Sequence, residues 1–301
     1  MRFALEFFHR GLYNSATLHG LTPAGDELPA PTIITSRQNS TVKRARALAR
    51  GKDVAAAPVM CIEGVRLLED ALAEDVRFDA LLLSPRLDAT ERGAALRRRL
   101  VQSGNPLLEA TDPVLESISD AAGSQGAAGL AHKRQWRDAD LFPAGRLPMV
   151  AVAWAVQDPG NLGTIMRTAD ASGATGLITT SGTACPHNTK CIRASMGSIF
   201  RLPVIEAGSG QLALDMLREH DVAIIGTSLG EGSRHVDVDL ARPAAIILGS
   251  EAEGLPADVL RQCDQTIRIP IRPEVESLNV ASAAAVIFYE AARQRDFKGL
   301  V

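Results

Sequence analysis

Hydrophobic and polar positions alternate along the chain in two separate rhythms. From Thr32 to about Lys133, short apolar runs (VMCIEG, ALLLS, PLLEA) are interleaved with helix-like segments such as GVRLLEDALAED and TERGAALRRRLVQSG, the mark of an α/β layer structure. The rhythm lapses in RQWRDADLFPAGRLP, where a glycine and two prolines suit a linker. It resumes with PMVAVAWAV and continues through GLITT, VAIIGT, AAIILG and TIRIPI. Near-continuous apolar runs of this kind predict a parallel sheet covered on both faces. The last element, LNVASAAAVIFYEAARQRD, sets Val280, Ala284, Ile287, Phe288 and Ala291 at helical spacing, which predicts a long closing helix packed on that sheet.

The expected organisation is an amino-terminal arm or tail at 1–31, a smaller α/β domain at 32–135, a linker at 136–147 and a parallel-sheet α/β domain at 148–301. A length of 301 residues suits two domains, each with its own core. The arm carries Glu6 and Asp26 and few arginines, which argues against a transit peptide. Lys plus Arg number 32 against 35 Asp plus Glu, so net charge neither advertises nor excludes a nucleic-acid partner. Cys61, Cys185, Cys191 and Cys263 show no paired spacing, and the sequence has no long apolar span or signal peptide. Those features fit a reducing cytoplasm and no membrane partner.

Two motifs invite chemistry that the rest of the chain does not support. GTSLG puts Ser228 in a G-x-S-x-G turn after a strand, but a nucleophile elbow needs an acid and then a histidine downstream. The last histidine is His235, with only Glu231 between. Cys185, His187 and Cys191 in CPHNTKC lack a second ligand pair for a zinc site, so small apolar cysteines and a loop histidine are the simpler reading.

The segment QDPGNLGTIMRTADASG follows a strand but matches neither G-x-G-x-x-G nor Gly-Lys-Ser/Thr, so a conventional phosphate loop explains it poorly. Asp158, Pro159 and Gly160 make a turn, Asn161 is placed to cap a helix ending at Gly173, and Arg167 follows less than two turns later. Two later segments, ILGSEAEGLP and IPIRPEVESLNVASA, are polar loops at strand ends, where α/β sheets place their sites. Together NLGTIMR, LGSEAEG and IPIRPEVESLNVASA resemble, in order, the three motifs of the SpoU/TrmH family of RNA ribose 2′-O-methyltransferases, within the SPOUT superfamily. NTKCIRASMGSIFRLPV resembles a segment that ribosomal-RNA members carry between the first two motifs. ITSRQNSTVKRARALARGKD, CIEGVRLLEDAL and SQGAAGLA resemble the ribosomal-protein-like RNA-binding domain often fused in front.

The resemblance implies S-adenosyl-L-methionine as methyl donor, a trefoil-knotted catalytic domain and a homodimer whose interface completes each site. It maps the cofactor pocket onto Thr227, Leu248, Gly249, Ile269, Ile271 and Leu278. Gly249 fits that role because a residue without Cβ lets backbone approach a ligand closely, and the apolar members double as strand core. It assigns Arg167 to the site, as base or as a phosphate clamp; a guanidinium is a permanent cation and an odd base. Asn161 would orient Arg167 or the ribose, and Glu251 would pair with Arg167 or order its own loop. Ser277 and Asn279 would bond near the reacting hydroxyl, or cap the closing helix. No metal is required, since a sulfonium donor already carries a good leaving group.

From Arg37 to Lys52 the chain holds six basic residues and no acid. Lys43, Arg46 and Arg50 fall on one helical face, either a phosphate track beside Arg37 or a solvated surface. Lys190, Arg193 and Arg201 form a second basic group. The expected activity is 2′-O-methylation of a ribose in RNA, with 23S-type large-subunit ribosomal RNA as the leading substrate. The alternatives are a tRNA 2′-O-methyltransferase and a catalytically silent ribosome-assembly factor of the same fold.

Overall fold

The structure is a computed structural model that describes residues 33–119 and 123–300. The expected arm at 1–31 lies outside the described residues. The amino-terminal part builds a four-stranded sheet from β1 (Val59–Glu63), β2 (Phe78–Leu83), β3 (Leu107–Glu109) and β4 (Ala127–His132). Its order is β1-β4-β2-β3, and only the β2–β3 pair is parallel. Helices α1 (Ser40–Ala49), α2 (Val65–Ala73), α3 (Glu91–Gln102) and α4 (Asp112–Ile118) accompany it. In α1 the Asn39 side chain caps the first turn, and Val42, Ala45, Leu48 and Ala49 are buried, which turns the basic residues outward.

The carboxy-terminal part opens with β5 (Met149–Ala153), α5 (Pro159–Ala171), β6 (Gly176–Thr179) and α6 (Thr189–Ser195). It continues with β7 (Val204–Glu206), α7 (Gly210–Glu219), β8 (Ala223–Thr227), β9 (Ser233–Arg234) and β10 (Ala244–Leu248). The short α8 (Ala257–Leu260), β11 (Gln265–Arg268) and α9 (Val280–Gln294) complete it. The seven strands run in the order β7-β6-β5-β10-β8-β11-β9, and every neighbouring pair is parallel. All residues of β5 and β10 are buried, as the unbroken apolar runs require. The closing helix buries Ala284, Ile287, Phe288 and Ala291, while Val280 is half-buried.

Three features differ from the sequence reading. The strand within TIRIPI stops at Arg268, because Pro270 has no N–H to continue the ladder, so Ile269 and Ile271 sit in the following loop. Two edge strands, β7 and β9, are three and two residues long and carry too little periodicity to be seen in sequence. The helix in the first motif is capped by Asp158 rather than Asn161: Pro159 is its first residue, and Asp158 Oδ1 accepts the Asn161 N–H at 2.9 Å. At its other end Gly173 takes a φ of +82°, and its N–H bonds the Asp170 carbonyl while Ala174 N–H bonds that of Ala169. That paired closure needs the left-handed residue the sequence supplies there.

Candidate functional site

β5, β10, β8 and β11 are neighbours in the sheet, and the loops leaving their carboxyl ends converge. This is where an open parallel sheet leaves a crevice. A cleft of about 600 Å³ opens there, within the size range of small-molecule and cofactor sites. It is lined by Thr227, Leu248, Gly249, Ile269, Ile271 and Leu278, all six positions expected to hold a cofactor, and also by Glu251, Ser277 and Asn279. Thr227 Oγ1 donates to the Ile247 carbonyl at 2.9 Å, tying the end of β8 to β10. The lining mixes apolar side chains such as Leu248, Ile269, Ile271 and Leu278 with polar ones such as Thr227, Ser228 and Glu251.

Gly249 is needed for a different reason from the one its position suggested. A Cβ there would lie 2.3 Å from the Gly254 carbonyl carbon, so the space is taken by the loop's own backbone rather than kept for a ligand. Ser250 and Gly254 close that loop by exchanging N–H to carbonyl bonds of 3.1 and 3.0 Å.

At the rim of the cleft the three motif segments are joined by side-chain hydrogen bonds. Asn161 Nδ2 donates to Glu251 Oε1 at 3.0 Å, and Asn279 Nδ2 donates to Asn161 Oδ1 at 3.0 Å. Glu251 also accepts the backbone N–H groups of Gln157 and Asp158 at 3.1 and 3.2 Å. Burial acts to raise the Glu251 carboxyl, but the Asn161 amide and the backbone N–H donors outweigh it and hold the group below the ordinary glutamate range. Asn279 caps α9, its Oδ1 accepting the N–H groups of Ala281 and Ser282. Of the two roles considered for it the cap is the one observed, while Ser277 is exposed, lines the cleft and is not the cap.

The Glu251–Arg167 pair does not form. Glu251 is taken up by donors at the amino-terminal end of α5, where backbone N–H groups and the helix dipole favour a carboxylate. Arg167 is exposed on α5, does not line the cleft, and has no hydrogen bond or ion pair among the described residues.

The glycine of NLGTIMR is explained by packing. A Cβ on Gly163 would lie 2.3 Å from the Cys191 carbonyl oxygen and 2.7 Å from the Ala194 Cβ, so α5 and α6 cross with their backbones in near contact. Ser228 lines the same cleft; its hydroxyl accepts the Gly230 N–H, and no histidine or carboxylate bonds it among the described residues. Cys191 is buried in α6, and burial pushes its thiol well above the ordinary range. Among the described residues no group of three or more His, Cys, Asp or Glu is placed to hold a metal ion, and no helix is long and apolar enough to cross a membrane.

The two basic groups differ. On the first, Arg37, Lys43 and Arg50 are exposed, Arg46 is half-buried, and neighbouring Arg44 pairs with Asp79 at 2.8 Å. In the second, the ammonium of Lys190 lies 2.5 Å from Asp158 Oδ2, and Arg201 lies 2.7 Å from Asp170 Oδ2. Arg193 is half-buried beside Ala49, Ile62 and Leu67 of the amino-terminal part. The second group is thus largely engaged within the chain instead of forming an open patch. Sequence reasoning missed Asp158, although Asp before Pro at a helix start was a legible capping signal.

Residues 148–289 match the family described as the SpoU rRNA Methylase family, and residues 39–129 match one described as an MRM3-like substrate binding domain. The chain is 35% identical to an uncharacterized tRNA/rRNA methyltransferase of Synechocystis sp., covering 87% of this chain and 94% of that protein. It is 30% identical to the 23S rRNA (guanosine(2553)-2′-O)-methyltransferase RlmP of Bacillus subtilis, covering 85% and 97%. Among solved structures it is similar to an AdoMet-bound rRNA methyltransferase from Sinorhizobium meliloti, at a TM-score of 0.76 and 29% identity, covering 87% of this chain and 97% of that one.

Proposed function

Because the chain belongs to the SpoU rRNA methylase family, we propose that it transfers a methyl group from S-adenosyl-L-methionine to a ribose 2′-hydroxyl of RNA, with large-subunit ribosomal RNA as substrate. The observation that carries this reading is the cleft lined by Thr227, Leu248, Gly249, Ile269, Ile271 and Leu278, with the Asn161–Glu251–Asn279 network fixed at its rim. The substrate preference draws on the ribosomal RNA named for the Bacillus relative and on the match of residues 39–129 to a substrate-binding domain.

When bound, S-adenosylmethionine supplies a methyl group on a sulfonium, so the leaving group departs neutral. The lining residues hold the cofactor through backbone and apolar contacts. Asn161 and Asn279 fix the position of the ribose, and holding the hydroxyl oxygen against its reaction partner converts an encounter into a local step. Arg167 clamps a phosphate of the RNA and stabilises the developing alkoxide, work that suits a permanent cation better than proton abstraction does, and the hydroxyl proton passes to solvent. Glu251 keeps the rim in register and does not pair with Arg167.

The catalytic unit is a homodimer of trefoil-knotted domains. Arg167 is exposed and does not line its own cleft, and α9, against which α5 packs, carries Val286 and Tyr289 39% and 48% exposed. A second copy covering that face would bring Arg167 to the opposite cleft. The insertion of β10 between β5 and β8 supports the knot. The domains run 32–135 and 148–301 with a linker at 136–147, a division supported by the separate sheets. Arg37, Lys43, Arg46 and Arg50 track the phosphates. The four free cysteines support a cytoplasmic protein.

Labelled S-adenosylmethionine incubated with ribosomal RNA tests the activity. Transfer by the native chain, lowered about 100-fold in Arg167→Ala, is expected; transfer to tRNA alone would redirect the substrate, and none to either RNA would refute the activity.

A further inference from the structure

Lys190 lies outside the cleft, yet it touches the residue from which the rim network hangs. Its Nζ is 2.5 Å from Asp158 Oδ2. Asp158 Oδ1 accepts the Asn161 N–H at 2.9 Å, and the Asp158 N–H donates to the same Glu251 oxygen that receives the Asn161 amide. The lysine stem runs over Gly160, where an added Cβ would come within 3.1 Å of Cε.

The other end of this connection is also fixed. The Lys190 N–H is capped by Asn188 Oδ1 at 2.8 Å, and Thr189 Oγ1 donates to the carbonyl of Ala49, the last residue of α1, at 3.0 Å. Two consecutive residues therefore join the end of the basic helix to the outermost charge of the site. The Asp158 carboxyl is held below its ordinary range, first by the Lys190 bond and then by the Asn161 N–H.

We propose that Lys190 is a positioning residue for methyl transfer: it acts through Asp158 to hold the first turn of α5, and with it the Asn161 amide, in register with Glu251 and Asn279. This rests on the methyl-transfer reading above. Its own contribution is modest, because the pair is partly exposed and such pairs amount to about a fivefold effect or less.

The test is a double-mutant cycle on the full chain with Lys190→Met, Asp158→Asn and the pair. Asparagine caps a helix as well as aspartate does, so Asp158→Asn removes the ion pair and keeps the cap. Each single variant is expected to lower kcat about fivefold with KM for RNA and cofactor affinity unchanged. The double variant is expected to match either single, and Lys190→Arg to recover the loss. A Lys190→Met loss that persists undiminished beside Asp158→Asn, or that falls on KM for RNA with a shallower salt dependence, would show a direct phosphate contact and overturn the proposal. An unchanged kcat would do the same. Hydrogen exchange at the Asn161 amide reads the tether without catalysis: protection is expected to fall about fivefold in Lys190→Met, and unaltered protection contradicts the proposal even if the native chain transfers no methyl group.

Discussion

Asn161 and Arg167 lie on the same helix, six residues apart, and the chain treats them in opposite ways. The Asn161 side chain is bonded at both ends, to Glu251 and to Asn279. Arg167 is exposed and finds no partner among the described residues. The same division separates the acids and amides at the rim from Lys43 and Arg50 on α1, which stand open to solvent. The rim groups are bonded to one another within the fold, whereas these cations are left without an acidic partner among the described residues. A cation already neutralised by an internal carboxylate gains less from a phosphate.

The sharpest way to break this comparison is Arg167→Ala. If Arg167 is held in reserve for substrate, its loss lowers kcat by about 100-fold or more while thermal stability and cofactor affinity stay near those of the native chain. A clear fall in melting temperature would instead mark it as a structural residue. Next comes Gly163→Ala, which sets a methyl group against the backbone of α6. Overpacking of this kind costs about 1–3 kcal/mol of stability, and calorimetry should record it as a melting temperature lower by several degrees. A smaller effect is expected on RNA affinity when Lys43, Arg46 and Arg50 are all changed to alanine. Affinity should fall uniformly across RNA sequences and its logarithmic salt dependence should flatten by roughly two to three, with cofactor binding unaffected.

The smallest effect concerns pH. Glu251 is held below the ordinary glutamate value of 4.5, so its folded state is the better acid and binds its proton less readily than the unfolded chain. Its stabilising contribution is therefore fully present above that value and disappears as pH falls through the depressed one. Glu251→Gln should remove this component from the neutral side of the stability profile, lowering stability above about 4.5 and leaving the acid extreme nearly unchanged, so that stability declines less steeply as pH falls, which acid titration of unfolding would show.

Much of this was legible in the residues. The unbroken apolar runs foretold the parallel sheet, and the three polar loops at strand ends foretold the cleft, since apolar runs and glycine-bearing turns are local signals. The hydrogen-bonded partnerships were not, because they depend on which backbone N–H groups arrive beside a carboxylate. Glu251 was expected to pair with Arg167 or to order its own loop, yet it is taken up by the donors at the start of α5. Asn161 passed for a cap because Asp158, three residues earlier, does the same work from a position hidden in a turn. Lys190 and Arg201 passed for an open basic patch because their acids, Asp158 and Asp170, lie some thirty residues upstream. Gly249 was singled out as a ligand contact; it lines the cleft, and its lack of a Cβ is required by the Gly254 backbone, while Gly163 is required by the backbone of α6.

The central claim is tested most directly by nuclease digestion of ribosomal RNA after incubation with the purified chain and methyl-labelled S-adenosylmethionine. The account predicts label in a 2′-O-methyl nucleoside, with almost none when Arg167→Ala replaces the native chain although that variant still binds the cofactor. Label on a base, or equal labelling by the variant, would contradict it.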